Sequence, residues 1–214
     1  NDSDLQKVAI DNGLGGEIKQ IAGDFLEVVF ANVKGSKTDL VTDSSFNLET
    51  SLTGDGNVDP VKSSKAGAAR RQFDGVEHGL TISRIHNGGG SQYGFYNRDN
   101  STYVKVFVPE GSVLESVVGQ SITDFKPLVD YRGFKQDLYL ERIEGSVSHP
   151  IAGVDVFEES GKTVFGFWLI VKPKETKSVV LKYRAPVAEV VAGNYNLYWQ
   201  KQSGTGGDHI NFSF

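Results

Sequence analysis

The apolar and polar positions of this chain alternate with a period near two over most of its length. The strongest signal lies between Gly161 and Pro186. Thr163 to Val171 is a nearly unbroken apolar run containing Phe165, Phe167 and Trp168. A strand apolar on both faces belongs in the middle of a sheet that is covered on both sides. Ser178 to Tyr183 then places Val179, Leu181 and Tyr183 on one face. The polar run Lys172 to Lys177 between them supplies a turn, so the stretch is expected to form a core hairpin, with Phe167 and Trp168 buried.

Other stretches read the same way. Asp24 to Val33, Ser45 to Leu52, His78 to His86, Thr102 to Val108 and Val113 to Val118 are expected strands, with a short one at Lys37 to Val41. Ile151 to Phe157, Tyr195 to Gln200 and His209 to Phe214 complete the set. Asp137 to Ile143 fits either a strand or one amphipathic helical turn. Asp4 to Ile21 carries Leu5, Val8, Ala9, Leu14, Ile18 and Ile21 at loosely helical spacing, and glycines 13, 15 and 16 shorten the helix expected there. Lys62 to Gln72 is basic and without apolar period, and Asn87 to Gly94 is glycine-rich; both read as loops.

Ten to thirteen short strands at this spacing predict an all-β fold, an antiparallel β-sandwich, with an immunoglobulin-like arrangement as the finer alternative. The expected organisation is a helical lead-in over 1–23 and a β-sandwich body over 24–214, with a sub-boundary, if there is one, near 119–133.

Composition narrows the function classes. The chain has 214 residues, 38% of them apolar, enough for a substantial core. Its net charge of −5 argues against nucleic acid as a partner. It has no cysteine, which excludes disulfides and thiolate metal sites. No apolar run is long enough to span a bilayer, so any membrane contact is expected through a segment outside this chain. A start at Asn1 and the lack of methionine read as a mature or excised piece, with a signal or anchor expected upstream.

Candidate chemistry is sparse. Asp55, Asn57 and Asp59 stand at alternate positions, as in the opening of a Ca²⁺ loop, but no later glutamate completes that pattern. A turn favours the same residue types and explains them more simply, so no cofactor is expected, with Ca²⁺ as the alternative. His78, His86, His149 and His209 lack the spacing of a local zinc site and read as surface or loop residues. The chain has no nucleophile elbow and no phosphate-binding glycine motif. Tyr93, Phe95 and Tyr96 form a loop-borne aromatic group suited to stacking on a sugar, although aromatics in β proteins more commonly serve the core. No catalytic residue is assigned. Asp155, Glu158 and Glu159 read as an exposed acidic turn.

Several motifs in series carry a family resemblance. They are Asp24 to Val29 followed by Asn32 to Asp39, then Leu48-Glu49-Thr50, then Asp55 to Val58, Tyr103 to Leu114, Gly161 to Tyr183, and Tyr195 to Asp208. Together they resemble the C-terminal β-rich portion of a bacterial family of unknown function, the one called domain of unknown function four-zero-one-two. Ser63 to Asn97 departs from that pattern. The resemblance implies a secreted or membrane-anchored bacterial protein, with a larger helical region before this portion, and it offers no catalytic residues to carry over.

These readings lead to a non-enzymatic module at the cell surface or outside the cell. Its expected role is as a surface-layer, filament or adhesive subunit, with other protein subunits or envelope components as partners. The alternatives are a carbohydrate-binding sandwich using Tyr93, Phe95 and Tyr96, and a hydrolase whose site assembles only in the fold.

Overall fold

Among the described residues, thirteen strands make up most of the regular structure. The structure is a computed structural model, and it describes all residues except 1, 13, 15, 22, 34–35, 55–56, 59–70, 73–74, 124–128, 136, 187–194 and 204–208. In order these are helix α1 (Ser3–Asp11), β1 (Asp24–Asn32), β2 (Thr42–Thr53), β3 (Asn57–Val58), β4 (Arg71–Gln72), β5 (Gly75–His86), β6 (Asn100–Pro109) and β7 (Val113–Val118). Helix α2 (Leu138–Gly145) follows, then β8 (Ser148–Ile151), β9 (Val154–Glu159), β10 (Lys162–Val171), β11 (Thr176–Ala185), β12 (Leu197–Gln200) and β13 (His209–Ser213).

Two sheets pack face to face as a β-sandwich. The first runs β12-β1-β6-β10-β9-β8 and the second β13-β2-β5-β11-β7, with β3 and β4 forming a separate small pair. Pairing is antiparallel except at two edges, where β12 joins β1 and β13 joins β2 in parallel. Alternation decides which side chains enter the space between the sheets. Val104, Val106 and Val108 of β6 and Phe165, Phe167 and Leu169 of β10 meet Leu80, Ile82, Val179, Leu181 and Tyr183 of the second sheet there.

The expected hairpin at 161–186 does not form. β10 pairs with β6 and β9, whereas β11 pairs with β5 and β7, so residues 172–175 arch from one sheet to the other. The turn signal was real and Lys174 takes a positive φ of 67°. A polar turn between two strands does not specify whether they share a sheet. Both strands have apolar inner faces, and burying them against each other across the sandwich satisfies the pattern equally well. A second arch at Glu110–Ser112 joins β6 to β7 in the same way.

Trp168 is a further correction. It lies on the outer face of the first sheet, half-buried and edge-on to Tyr103 at 5.1 Å, while its neighbour Phe167 is fully buried in the core. That outer face is itself covered. Residues 16–20 cross it as an extended strap, and Ile18 packs on a second apolar cluster of Phe25, Phe107 and Val164. This cover accounts for Val164 on the outer side of β10, while Trp168 and Ile170 further along it are half-buried.

Other local differences have simple causes. The helix of the lead-in ends at Asp11, where the glycines begin, and its start is capped by Asp2, which accepts from the backbone N–H groups of Asp4 and Leu5. The short strand expected at 37–41 is a 3₁₀ turn over Thr38–Val41. The ambiguous 137–143 stretch is helical, with Asp137 accepting from the N–H groups of Tyr139 and Leu140 at the start of α2.

Candidate functional site

The strap and the outer face of the first sheet enclose a cleft of about 800 Å³. Its floor is built by strand register. Glu27 on β1 stands beside Phe107 on β6, and Val29 stands beside Lys105. Residues of β1 alternate, so Glu27, Val29 and Ala31 share this outward face while Leu26 and Val28 enter the core. Lys105 leans across Phe107 and Phe157 and donates to Glu159 at 2.6 Å. Its ammonium therefore lies over aromatic rings while its charge is matched by a carboxylate.

The strap is pinned at both sides of the cleft. Gln200 of β12 accepts from the backbone N–H of Lys19 and donates to the carbonyl of Glu17. On the far side Gln20 donates to the carbonyl of Ser160 at 2.7 Å. Ser160 and Gly161 both have positive φ, at 53° and 68°, which makes the tight hairpin turn between β9 and β10. That turn exposes the Ser160 carbonyl to which the strap is tied.

Glu27 is the chemically unusual group in the cleft. It is 3% exposed, and its Oε2 has no hydrogen-bond partner among the described residues. Burial pushes its carboxyl up from 4.5 to about 7, against the opposing pull of a hydrogen bond from Gln200. A second carboxylate of the cleft, Glu159, is held in the ion pair with Lys105. Beyond the cleft on the same face, Tyr103 donates to Asp155 at 2.5 Å, and His149 Nδ1 lies 2.9 Å from the other oxygen of Asp155. Burial first, and the Asp155 carboxylate second, drive the Tyr103 phenol well above its usual range. Gly166 pairs with Asp155 on one side and Lys105 on the other, so Tyr103, whose own partner is Trp168, reaches Asp155 diagonally over Gly166.

The aromatic residues singled out from sequence do gather. Tyr93, Phe95 and Tyr96 flank and form a 3₁₀ turn at Gly94–Asn97. Tyr93 and Phe95 stack at 5.6 Å, and Tyr96 meets Phe95 edge-on at 4.4 Å. Tyr93 and Phe95 are exposed and Tyr96 is half-buried. The glycine-rich loop before them is tightly held. Asn97 accepts from the N–H groups of Gly89 and Ser91 and donates back to the Ser91 carbonyl. Of the calcium candidates, Asp55 and Asp59 lie outside the described residues, and Asn57 begins β3. Most of the basic 62–72 stretch also lies outside them. Among the described residues no three metal-ligating side chains come together.

Two of the four histidines are core residues, which corrects the surface reading. His86 is fully buried. Its Nδ1 accepts from the Gly88 N–H and its Nε2 donates to the Arg98 carbonyl. His78 is 2% exposed and stacks on Tyr183. Its Nδ1 is 3.0 Å from the Thr50 hydroxyl. Its Nε2 is 2.8 Å from Asp24 Oδ2, close but out of line for a hydrogen bond. Tyr195 donates to that same Asp24 oxygen, and the Phe25 N–H serves the other. A threonine, a histidine and an aspartate stand in the order of a hydrolytic triad, but the histidine–aspartate hydrogen bond of such a triad is not made. All three are buried here, so the arrangement serves as an internal polar tie between the sheets.

Six residues along β5, about 20 Å away, a second buried network centres on Arg84. It donates to Thr102 and Asp39 and lies 4.2 Å over the Phe30 ring.

Apolar side chains also stand outside the sandwich. Leu5 and Val8 form one stripe of α1, a helix with no buried residue. Phe134, Leu138, Tyr139 and Leu140 are exposed on and before α2, with Leu138 at 80%. Comparison of the chain with protein-family models, with curated proteins and with solved structures finds no match.

Proposed function

We propose that this chain is a non-enzymatic assembly module, working at a bacterial cell surface or outside the cell, whose partners are further copies of itself. The observation that carries the reading is the exposed apolar surface of Leu5 and Val8 on α1 and of Leu138, Tyr139 and Leu140 on α2. The sandwich core closes without these residues, so their apolar area is left facing water. A nine-residue helix with no buried residue is marginal by itself, and a partner surface is what gives such an element a stable position. The sequence resemblance, to a bacterial family of unknown function whose members look secreted or membrane-anchored, points to the same location.

The test is sedimentation velocity across the micromolar to millimolar range. The chain is expected to associate as concentration rises, and Leu138→Ser with Leu140→Ser is expected to hold it monomeric without lowering its melting temperature. A wild-type chain that stays strictly monomeric at millimolar concentration refutes the reading.

A second reading has its own observation. Tyr93 and Phe95 place two exposed rings together on a turn held rigid by Asn97, as a sugar-stacking platform needs. Polysaccharide retention that Tyr93→Ala and Phe95→Ala both abolish is the expected result. Retention indifferent to these changes removes it.

A further inference from the structure

The cleft under the strap is a separate feature from the apolar surfaces on the helices. Glu17, Glu27 and Glu159 line it, with Lys105 as the one basic residue among them. Lys105 is committed to Glu159. Glu27 is left on an apolar floor with one oxygen unpartnered among the described residues, although it is 97% buried. A buried carboxylate oxygen without a donor costs free energy, and a ligand that supplies the donor recovers it. The donor must enter through the cleft that Glu27 lines together with Lys105 and Gln202. What it carries behind it meets Val29, Ala31 and Phe107, which are apolar.

We propose that this cleft binds a primary ammonium group on a short apolar stem, with Glu27 as its counter-ion and Phe107 and Val29 against the stem. An ammonium supplies three donors in a compact head, and a flexible alkyl stem suits the apolar floor. A carboxylate ligand is disfavoured because Lys105 is already paired and the remaining charge of the cleft is negative.

The site carries a pH signature. Ionised Glu27 is the binding form, so affinity rises with pH through the range where that carboxyl titrates. The titratable groups brought to the cleft are Glu17 from the strap, Lys105 from β6 and Glu159 from β9, while β12 contributes the neutral Gln200. With Glu27 ionising at about 7, its charged fraction falls about tenfold from about pH 8 to about pH 6.

The experiment is calorimetric titration of the full chain with hexylammonium, hexanol and hexanoate. Hexylammonium is expected to saturate one site at about pH 8 and to bind about tenfold more weakly at about pH 6. Hexanol is expected to bind at least about tenfold more weakly than hexylammonium, and Glu27→Gln is expected to lose a similar factor. Hexanol binding as tightly as hexylammonium, hexanoate binding more tightly, undiminished binding by Glu27→Gln, or no saturation at all each overturns the proposal. Should Glu27→Gln fail to fold, carboxyl NMR of the wild type decides the matter. Hexylammonium must move the Glu27 titration to lower pH, and an unmoved midpoint overturns the proposal.

Discussion

Glu27→Gln gives a direct measure of what the cleft does to a carboxyl group. The substitution keeps the size and one acceptor oxygen, exchanges the other oxygen for an amide NH2 donor, and removes the titration. In the unfolded chain Glu27 ionises near 4.5, and in the folded chain at about 7. Below about 4.5 both states are protonated and the group adds no pH dependence. Between these values the folded state keeps a proton that the unfolded state has lost, so stability falls as pH rises. Above about 7 both are ionised and the loss is complete. A difference of this size corresponds to about 3 kcal/mol at 1.36 kcal/mol per unit. That figure is an upper bound, because local relaxation around a buried carboxyl recovers part of it, which leaves about 1–2 kcal/mol. Urea unfolding of both chains, from about pH 4 to about pH 9, isolates the term as a difference, because the other titrating groups are common to both. The Gln variant is expected to gain about 1–2 kcal/mol on the wild type across this window. A difference that does not change with pH means the carboxyl ionises as in water, and a wild type that gains stability on the variant as pH rises from about 5 to about 7 means its pKa is lowered by folding; either refutes the reasoning.

Gly166→Ala tests the outer face beyond the cleft. A Cβ there would stand 2.1 Å from the Tyr103 hydroxyl and 2.8 Å from its ring carbon. The ring must leave Asp155, and a loss of about 1–3 kcal/mol is expected in urea unfolding, partly restored by adding Tyr103→Leu; an unchanged midpoint shows that Tyr103 is not held over Gly166. Amide exchange tests the role of α1: in dilute protein the N–H groups of Gln6 to Asp11 are expected to exchange almost as fast as in an unfolded peptide, and to become protected only as the chain associates. Protection that is already full in the monomer counts against α1 as a partner surface.

The strands were legible because alternation is a local property. Val179, Leu181 and Tyr183 share a face in the sequence and are all fully buried in the structure. The pairing of β10 with β6 and β9, instead of with β11, was not legible. It depends on which apolar faces meet across the sandwich, and a turn of four residues serves either outcome. Glu27 was missed for a related reason. Within Asp24 to Val29 it is simply the polar residue on an alternating strand, and such a residue is ordinarily solvated. The signal that could have found it lay far away in the chain. The run Thr163 to Val171 is apolar on both faces, so the outward face of its sheet must be covered. Glu27 shares that face with Phe25 and Val29, which are apolar as well. A carboxylate embedded in a covered apolar face has to be paired, protonated or waiting for a cation. Lys105, on the neighbouring strand, is the evident candidate for the pairing, and in the structure it turns away to Glu159. The chemistry of the cleft is therefore set by a choice between two carboxylates for one lysine. The sequence shows all three groups, but only the register of β1, β6 and β9 and the strap tied to Ser160 decide which carboxylate is left over.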